Sequence, residues 1–99
     1  MPYVIGDHGE IVAILWANPL HSPPLANRSN KILWVARVVP MLPGPLRIQA
    51  TLNGTGQAVT REVIGGPGPS IVNLPRAGCW SFNLSWARSR DHLELQYVA

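Results

Sequence analysis

Apolar and polar residues alternate with a period of two along much of this chain. No stretch of eleven residues between its prolines and glycines keeps apolar residues at helical spacing. The cleanest case is Leu46-Arg47-Ile48-Gln49-Ala50-Thr51-Leu52, in which every second residue is apolar. A strand with one face buried and one face in water is written this way, because successive side chains point to opposite sides of the sheet. Gly78 to Trp86 repeats the pattern, with Trp80, Phe82, Leu84 and Trp86 on one face and Ser81, Asn83 and Ser85 on the other. Leu93, Leu95 and Tyr97 then alternate with His92, Glu94 and Gln96. Arg88-Ser89-Arg90-Asp91 reads as a tight connection between these runs, so the C-terminal third is expected to be a β-hairpin.

Two earlier segments, Ile11 to Trp16 and Ile32 to Val39, are apolar on both parities. Strands covered on both faces look like this, whether the cover is a second sheet or loops folded over one side. Asn53-Gly54-Thr55-Gly56 is a turn signal leading into a strand at Val59–Ile64, and Gly65-Gly66-Pro67-Gly68-Pro69 breaks the chain before another at Ser70–Leu74. The pattern therefore predicts about seven strands: Ile11–Trp16, Ile32–Val39, Leu46–Leu52, Val59–Ile64, Ser70–Leu74, Gly78–Trp86 and Leu93–Val98. Short strands separated by turn signals every 8–12 residues or so predict an all-β, two-sheet β-sandwich. Its inter-sheet core is expected to hold Trp34, Trp80, Phe82, Leu84 and Leu95. The segment Asn18 to Asn30 is the longest connection and is expected to cross between sheets. Pro40 to Pro45 is expected to be a stiff corner between adjacent strands.

Composition agrees with a folded chain. With 99 residues, 46% hydrophobic and 13% charged, residues 1–99 make one domain with one core. A single cysteine excludes an internal disulfide. The longest apolar run, Ile11 to Ala17, is far short of the ~20 residues that cross a bilayer as a helix, so no membrane span is expected. The start Met1-Pro2-Tyr3 has neither the basic nor the long apolar region of a signal peptide. Eight basic residues against five acidic ones give a net charge of +3, and the arginines are dispersed from Arg28 to Arg90. Nucleic-acid binders cluster such charges along one stripe, so no nucleic-acid partner is expected.

Leu74-Pro75-Arg76-Ala77-Gly78-Cys79-Trp80-Ser81-Phe82-Asn83-Leu84 is the most distinctive stretch. It is similar to the loop-to-strand entry of immunoglobulin-like bacterial modules, where a small residue and a glycine precede an aromatic that begins an alternating strand. With Asn30 to Val35 and Gly68 to Val72, the chain resembles short bacterial β-sandwich proteins of unassigned function over roughly residues 30 to 98. The resemblance implies an immunoglobulin-like fold and an exported or cell-envelope setting, with the export signal absent from this chain. It implies no active-site residue, and the immunoglobulin disulfide is missing because Cys79 stands alone.

Candidate chemistry is sparse. His8, His21, His92, Cys79 and Met41 could supply soft metal ligands, but none stands at a recognised ligand spacing, so no metal is expected. Cys79 reads as a small buried residue opening a strand. Asp91 and His92 are neighbours in sequence, yet adjacent residues of a strand face opposite ways and cooperate poorly. There is no Gly-x-Ser-x-Gly elbow, and Gly65 to Gly68 lacks the Lys-Ser/Thr ending of a phosphate loop. No catalysis and no cofactor are therefore expected. The triplets at Asn27, Asn53 and Asn83 that match a glycosylation acceptor, and the Pro40-Met41-Leu42-Pro43 spacing, carry no further weight.

The expectation is a non-catalytic binding or structural module whose partner is a protein or a cell-envelope surface. The alternatives are a small metal- or ligand-binding β-barrel and an enzyme accessory domain. Within the Asn18–Asn30 loop, His21 and Arg28 are the candidate binding residues, since they offer polar contacts on a proline-stiffened segment. A homodimer at high concentration is also expected, through an edge strand at Leu46–Leu52 or at the C-terminus.

Overall fold

A computed structural model describes every residue, Met1–Ala99. It contains no helix and nine strands: β1 (Tyr3–Ile5), β2 (Ile11–Leu15), β3 (Leu20–His21), β4 (Lys31–Ala36), β5 (Leu46–Leu52), β6 (Ala58–Val63), β7 (Pro69–Ile71), β8 (Gly78–Trp86) and β9 (Ser89–Val98). They form two sheets, of order β1-β2-β4-β7 and β3-β9-β8-β5-β6. Three hairpins, β1–β2, β5–β6 and β8–β9, are antiparallel ladders within one sheet. Every other connection crosses from one sheet to the other.

Two strands were not expected from the pattern. β1 has three residues and β3 two, too few for alternation to be read. The Asn18–Asn30 connection does cross between sheets, and on its way it lends β3 to the five-stranded sheet, parallel to the end of β9. Pro40 to Pro45 joins strands of different sheets rather than adjacent ones. β4 stops at Ala36 and β7 at Ile71, so Val38 and Val39 project into solvent, while Val72 and Leu74 are buried in irregular chain. The last hairpin turns on Ala87-Arg88 alone, with Ala87 in the left-handed region at φ 48°. Ser89, Arg90 and Asp91 therefore belong to β9 and not to the turn.

The inner faces meet in one apolar cluster. Ile11, Ala13, Ile32 and Trp34 come from the four-stranded sheet; Ile48, Ala50, Trp80, Phe82, Leu84, Leu93, Leu95 and Tyr97 come from the five-stranded one. All five expected core residues are buried. Trp34 and Phe82 meet across the layers with ring centroids 6.1 Å apart. Three of the buried aromatics, Trp34, Trp80 and Tyr97, find partners for their polar atoms, as burial favours. Trp34 Nε1 donates to Ser70 Oγ, Trp80 Nε1 to the Arg76 carbonyl, and Tyr97 Oη to the Val72 carbonyl at 2.7 Å. Burial pushes the Tyr97 hydroxyl pKa well up, against a smaller pull down from Arg61, so the phenol remains a donor.

Polar side chains tie the layers at both ends. At one end Asp91 takes a core-facing position in β9, where the series Asp91, Leu93, Leu95, Tyr97 would otherwise be apolar. Its Oδ1 accepts the backbone N–H groups of His8 and His92, and its Oδ2 those of Glu10 and Ile11. Burial alone would raise this pKa, but the four N–H donors outweigh it and hold the carboxyl below its ordinary value. Gly6 lies so close that a Cβ there would overlap the carboxylate. At the other end the Asn30 amide accepts from the His21 N–H and donates to the His21 carbonyl and to Asn73 Oδ1. Nearby, Ser22 Oγ donates to the Leu74 carbonyl.

Two outcomes follow. Trp80→Ala should cost about 3–5 kcal/mol, which in a domain of this size lowers Tm by about 15–30 °C in a thermal melt. Asp91→Asn turns an NH2 group toward N–H donors and should cost about 3 kcal/mol or more. Because the folded pKa of Asp91 is depressed, its stabilisation is complete above the unfolded carboxyl pKa of about 4 and fades as pH falls through the lower folded value. Melts taken from pH 7 down to pH 2 should therefore show the Asp91→Asn penalty shrinking below about pH 4.

Candidate functional site

With both inner faces buried against each other, the chemistry available for recognition lies on the two outer faces and on the loops. The outer faces differ sharply. That of the five-stranded sheet is polar, as the alternation of β5 and β8 dictates. Paired registers set its side chains in rows across the strands: Glu62, Arg47, Ser85 and Arg90 in one; Thr60, Gln49, Asn83 and His92 in the next; Thr51, Ser81 and Glu94 in a third. The short side chains of β8 form the floor and the longer ones of β5 and β9 the walls of a shallow trough of about 480 Å³. Its charges are largely committed to each other. Arg47 Nε lies 3.3 Å from Glu62 Oε2, and His92 Nδ1 lies 2.8 Å from Asp7 Oδ2. His8 Nδ1 stands 3.8 Å from Asp91 Oδ1.

Cys79 is exposed on this same polar face, contrary to its reading as a buried residue. The parity of β8 explains it, because Trp80 takes the inner position and its neighbour must point outward. Desolvation, together with Glu94 at 3.5 Å, raises the thiol pKa. A thiol so placed ionises less readily than a free one, which weakens it as a nucleophile.

The outer face of the four-stranded sheet is apolar. Ile5, Val12 and Val35 align in one row, and Tyr3, Ile14, Leu33 and Pro69 in the next. A third row holds Lys31 and Ile71, with Trp16 beside them. Tyr3, Ile5 and Ile71 are 61%, 56% and 59% exposed. A hollow of about 500 Å³ opens between Tyr3, Ile5, Val12 and Val35. The apolar character of β2 and β4 on both parities thus has two sources: one side meets the core and the other faces outward uncovered. Isolated apolar residues on a surface are ordinary, whereas a contiguous sheet of them marks a contact surface.

Charged groups sit only at the two ends of the β2–β4 ladder. At one end Lys31 Nζ lies 4.3 Å from the centroid of the Trp16 ring. At the other, Arg37 and Glu10 pair at 3.7 Å. Beyond Arg37, Val38, Val39, Met41 and Leu42 are exposed and line a separate hollow with Trp86 to Ser89 at the β8–β9 turn.

The two loop residues singled out by sequence serve the loop itself. Arg28 donates through Nη2 to the Pro19 carbonyl at 3.0 Å and through Nη1 to the Asn18 carbonyl at 3.5 Å. The backbone of His21 is held by Asn30, and its ring Nδ1 is buried without a partner. The histidines do not converge: His8 and His92 line the trough, while His21 is held at the opposite end of the inter-sheet layer, where the Asn30 and Ser22 ties lie. No three His, Cys, Asp or Glu side chains are grouped so that they could hold a metal ion. Leu46–Leu52 lies between β6 and β8 and so offers no free edge, whereas β9 is bordered on its second side by β3 only at Tyr97 and Val98.

Comparison with protein-family models, curated proteins and solved structures finds no match to this chain.

Proposed function

We propose that this chain is a non-catalytic binding module of immunoglobulin-like type, and that its working surface is the outer face of the four-stranded sheet. One observation carries the reading. Two aligned rows of aliphatic and aromatic side chains, with Trp16 and Ile71 beside Lys31 at their end, stand on a face that the protein's own fold leaves uncovered. The five-stranded sheet serves as the counter-example within the same molecule, because its outer face carries the polar residues that solvation favours. The partner that suits the apolar face is a protein surface with its own apolar patch. A lipid surface would favour a ring of cations, and here a single lysine at one end faces a neutralised Arg37–Glu10 pair at the other. No helix of this chain is long and apolar enough to cross a membrane. The raised pKa of Cys79, and the engagement of Arg28 by loop carbonyls, favour this face over the thiol or the Asn18–Asn30 loop.

If the face exists for contact and not for folding, charges should be tolerated there. Val35→Lys and Ile71→Lys should each change stability by about 1 kcal/mol or less, while binding of an apolar dye such as ANS falls several-fold. A loss of Tm comparable to that of Trp80→Ala, or dye binding indifferent to both changes, would show that the face belongs to the fold and not to a contact.

A further inference from the structure

We propose that the surface covering the apolar face is a second copy of this chain, packed sheet to sheet about a dyad that runs along the strands between β2 and β4. The inference rests on the reading of that face as a contact surface. Its ground is the self-complementarity of the face. The order β1-β2-β4-β7 places the centre line of the sheet between β2 and β4. Across that line, residues at the same level are matched in kind: Glu10 on the β2 side with Arg37 on the β4 side, and Trp16 with Lys31. A two-fold axis along the line lays each strand over its counterpart. Arg37 then meets Glu10 of the second copy, and Lys31 meets Trp16 of the second copy. Each of the two central apolar rows closes on its own copy in reverse order. A dyad across the strands would instead set Lys31 over Arg37 and Trp16 over Glu10, opposing like charges and covering a carboxylate with an indole. An isologous contact requires one patch to complement itself, and only the first axis satisfies this.

Shape and area agree. A twisted sheet face is best matched by another of the same twist, and two copies of one sheet pack aligned at about 30° with about 10 Å between them. Strand addition at the borders of this sheet is a poor alternative, because β1 and β7 have three residues each and β7 begins with Pro69. Four strands span about 19 Å, and the distance from the level of Glu10 to that of Trp16 is about 20 Å. With surface relief this gives on the order of 600 Å² per copy, at the lower end for specific interfaces. An interface of this size belongs with weak, transient contacts.

Sedimentation equilibrium of the full chain from about 5 to 500 µM tests the proposal, with thermal melts confirming that each variant is folded. Reversible dimerisation is expected for the parent, and a monomer throughout for Val35→Lys. Glu10→Arg or Arg37→Glu should each weaken association about tenfold, and the double exchange should restore it. The proposal fails if the parent stays monomeric at 500 µM, if Val35→Lys dimerises as the parent does, or if the double exchange gives no recovery. It also fails if the parent remains monomeric yet floats with vesicles of phosphatidylcholine and phosphatidylglycerol. A monomeric parent whose face still binds dye and tolerates lysine leaves the contact-surface reading intact with a different protein as occupant.

Discussion

The carboxylate of Asp91 occupies a place in β9 that the strand's own alternation assigns to an apolar side chain, and the N-terminal end of the molecule is built around it. Four backbone N–H groups converge on its two oxygens, two of them from the loop between β1 and β2 and a third from Ile11 at the start of β2. That loop belongs to the four-stranded sheet and β9 to the five-stranded one, so the carboxylate fixes one layer against the other. A buried charge without donors would be costly, and a loop of buried N–H groups without an acceptor equally so. Each cancels the other's penalty. Gly6 completes the arrangement because any side chain there would occupy the space of the carboxylate. Asn30 does the corresponding task at the far end with an amide, which both donates and accepts. Between these two ties the layers need only apolar packing.

Fastening the layers from their ends has a consequence for the outer faces. The four-stranded sheet is held by its inner side chains and by its loops, and nothing in the chain folds back over its outside. Its outer rows can therefore remain apolar without contributing to the core. The same fastening leaves the five-stranded sheet free to present a polar surface on which Arg47 pairs with Glu62 and His92 with Asp7. The molecule has one polar outer face and one apolar outer face, and the difference is carried by the residues of β2 and β4 that point away from the core.

Much of this was legible in the chain, and what was hidden has particular reasons. β5 and β8 alternate without error because one of their faces is solvated, and both were located to the residue. The pattern marks β2 and β4 as strands, but an outward row left uncovered has the same composition as one buried by the chain's own loops. Arg88 to Asp91 carries charges that resemble a turn, whereas the bend is made by Ala87 in a left-handed conformation. The burial of Asp91 depends on backbone donors some 80 residues away, which no local pattern records. His21 and Arg28 looked available because they are polar residues in a proline-rich loop. That loop has carbonyls of its own to satisfy, and Arg28 does so.

We propose that this protein makes contact through the outer face of the four-stranded sheet. Amide chemical shifts compared between about 20 and 500 µM protein, at concentrations bracketing the association expected of a small interface, test it residue by residue. The account requires the changes to fall on β1, β2, β4 and β7, strongest near Ile5, Val35 and Ile71, with the trough formed by Ser85, Asn83 and Arg90 unaffected. Changes concentrated on the trough, or along the open side of β9, would contradict it.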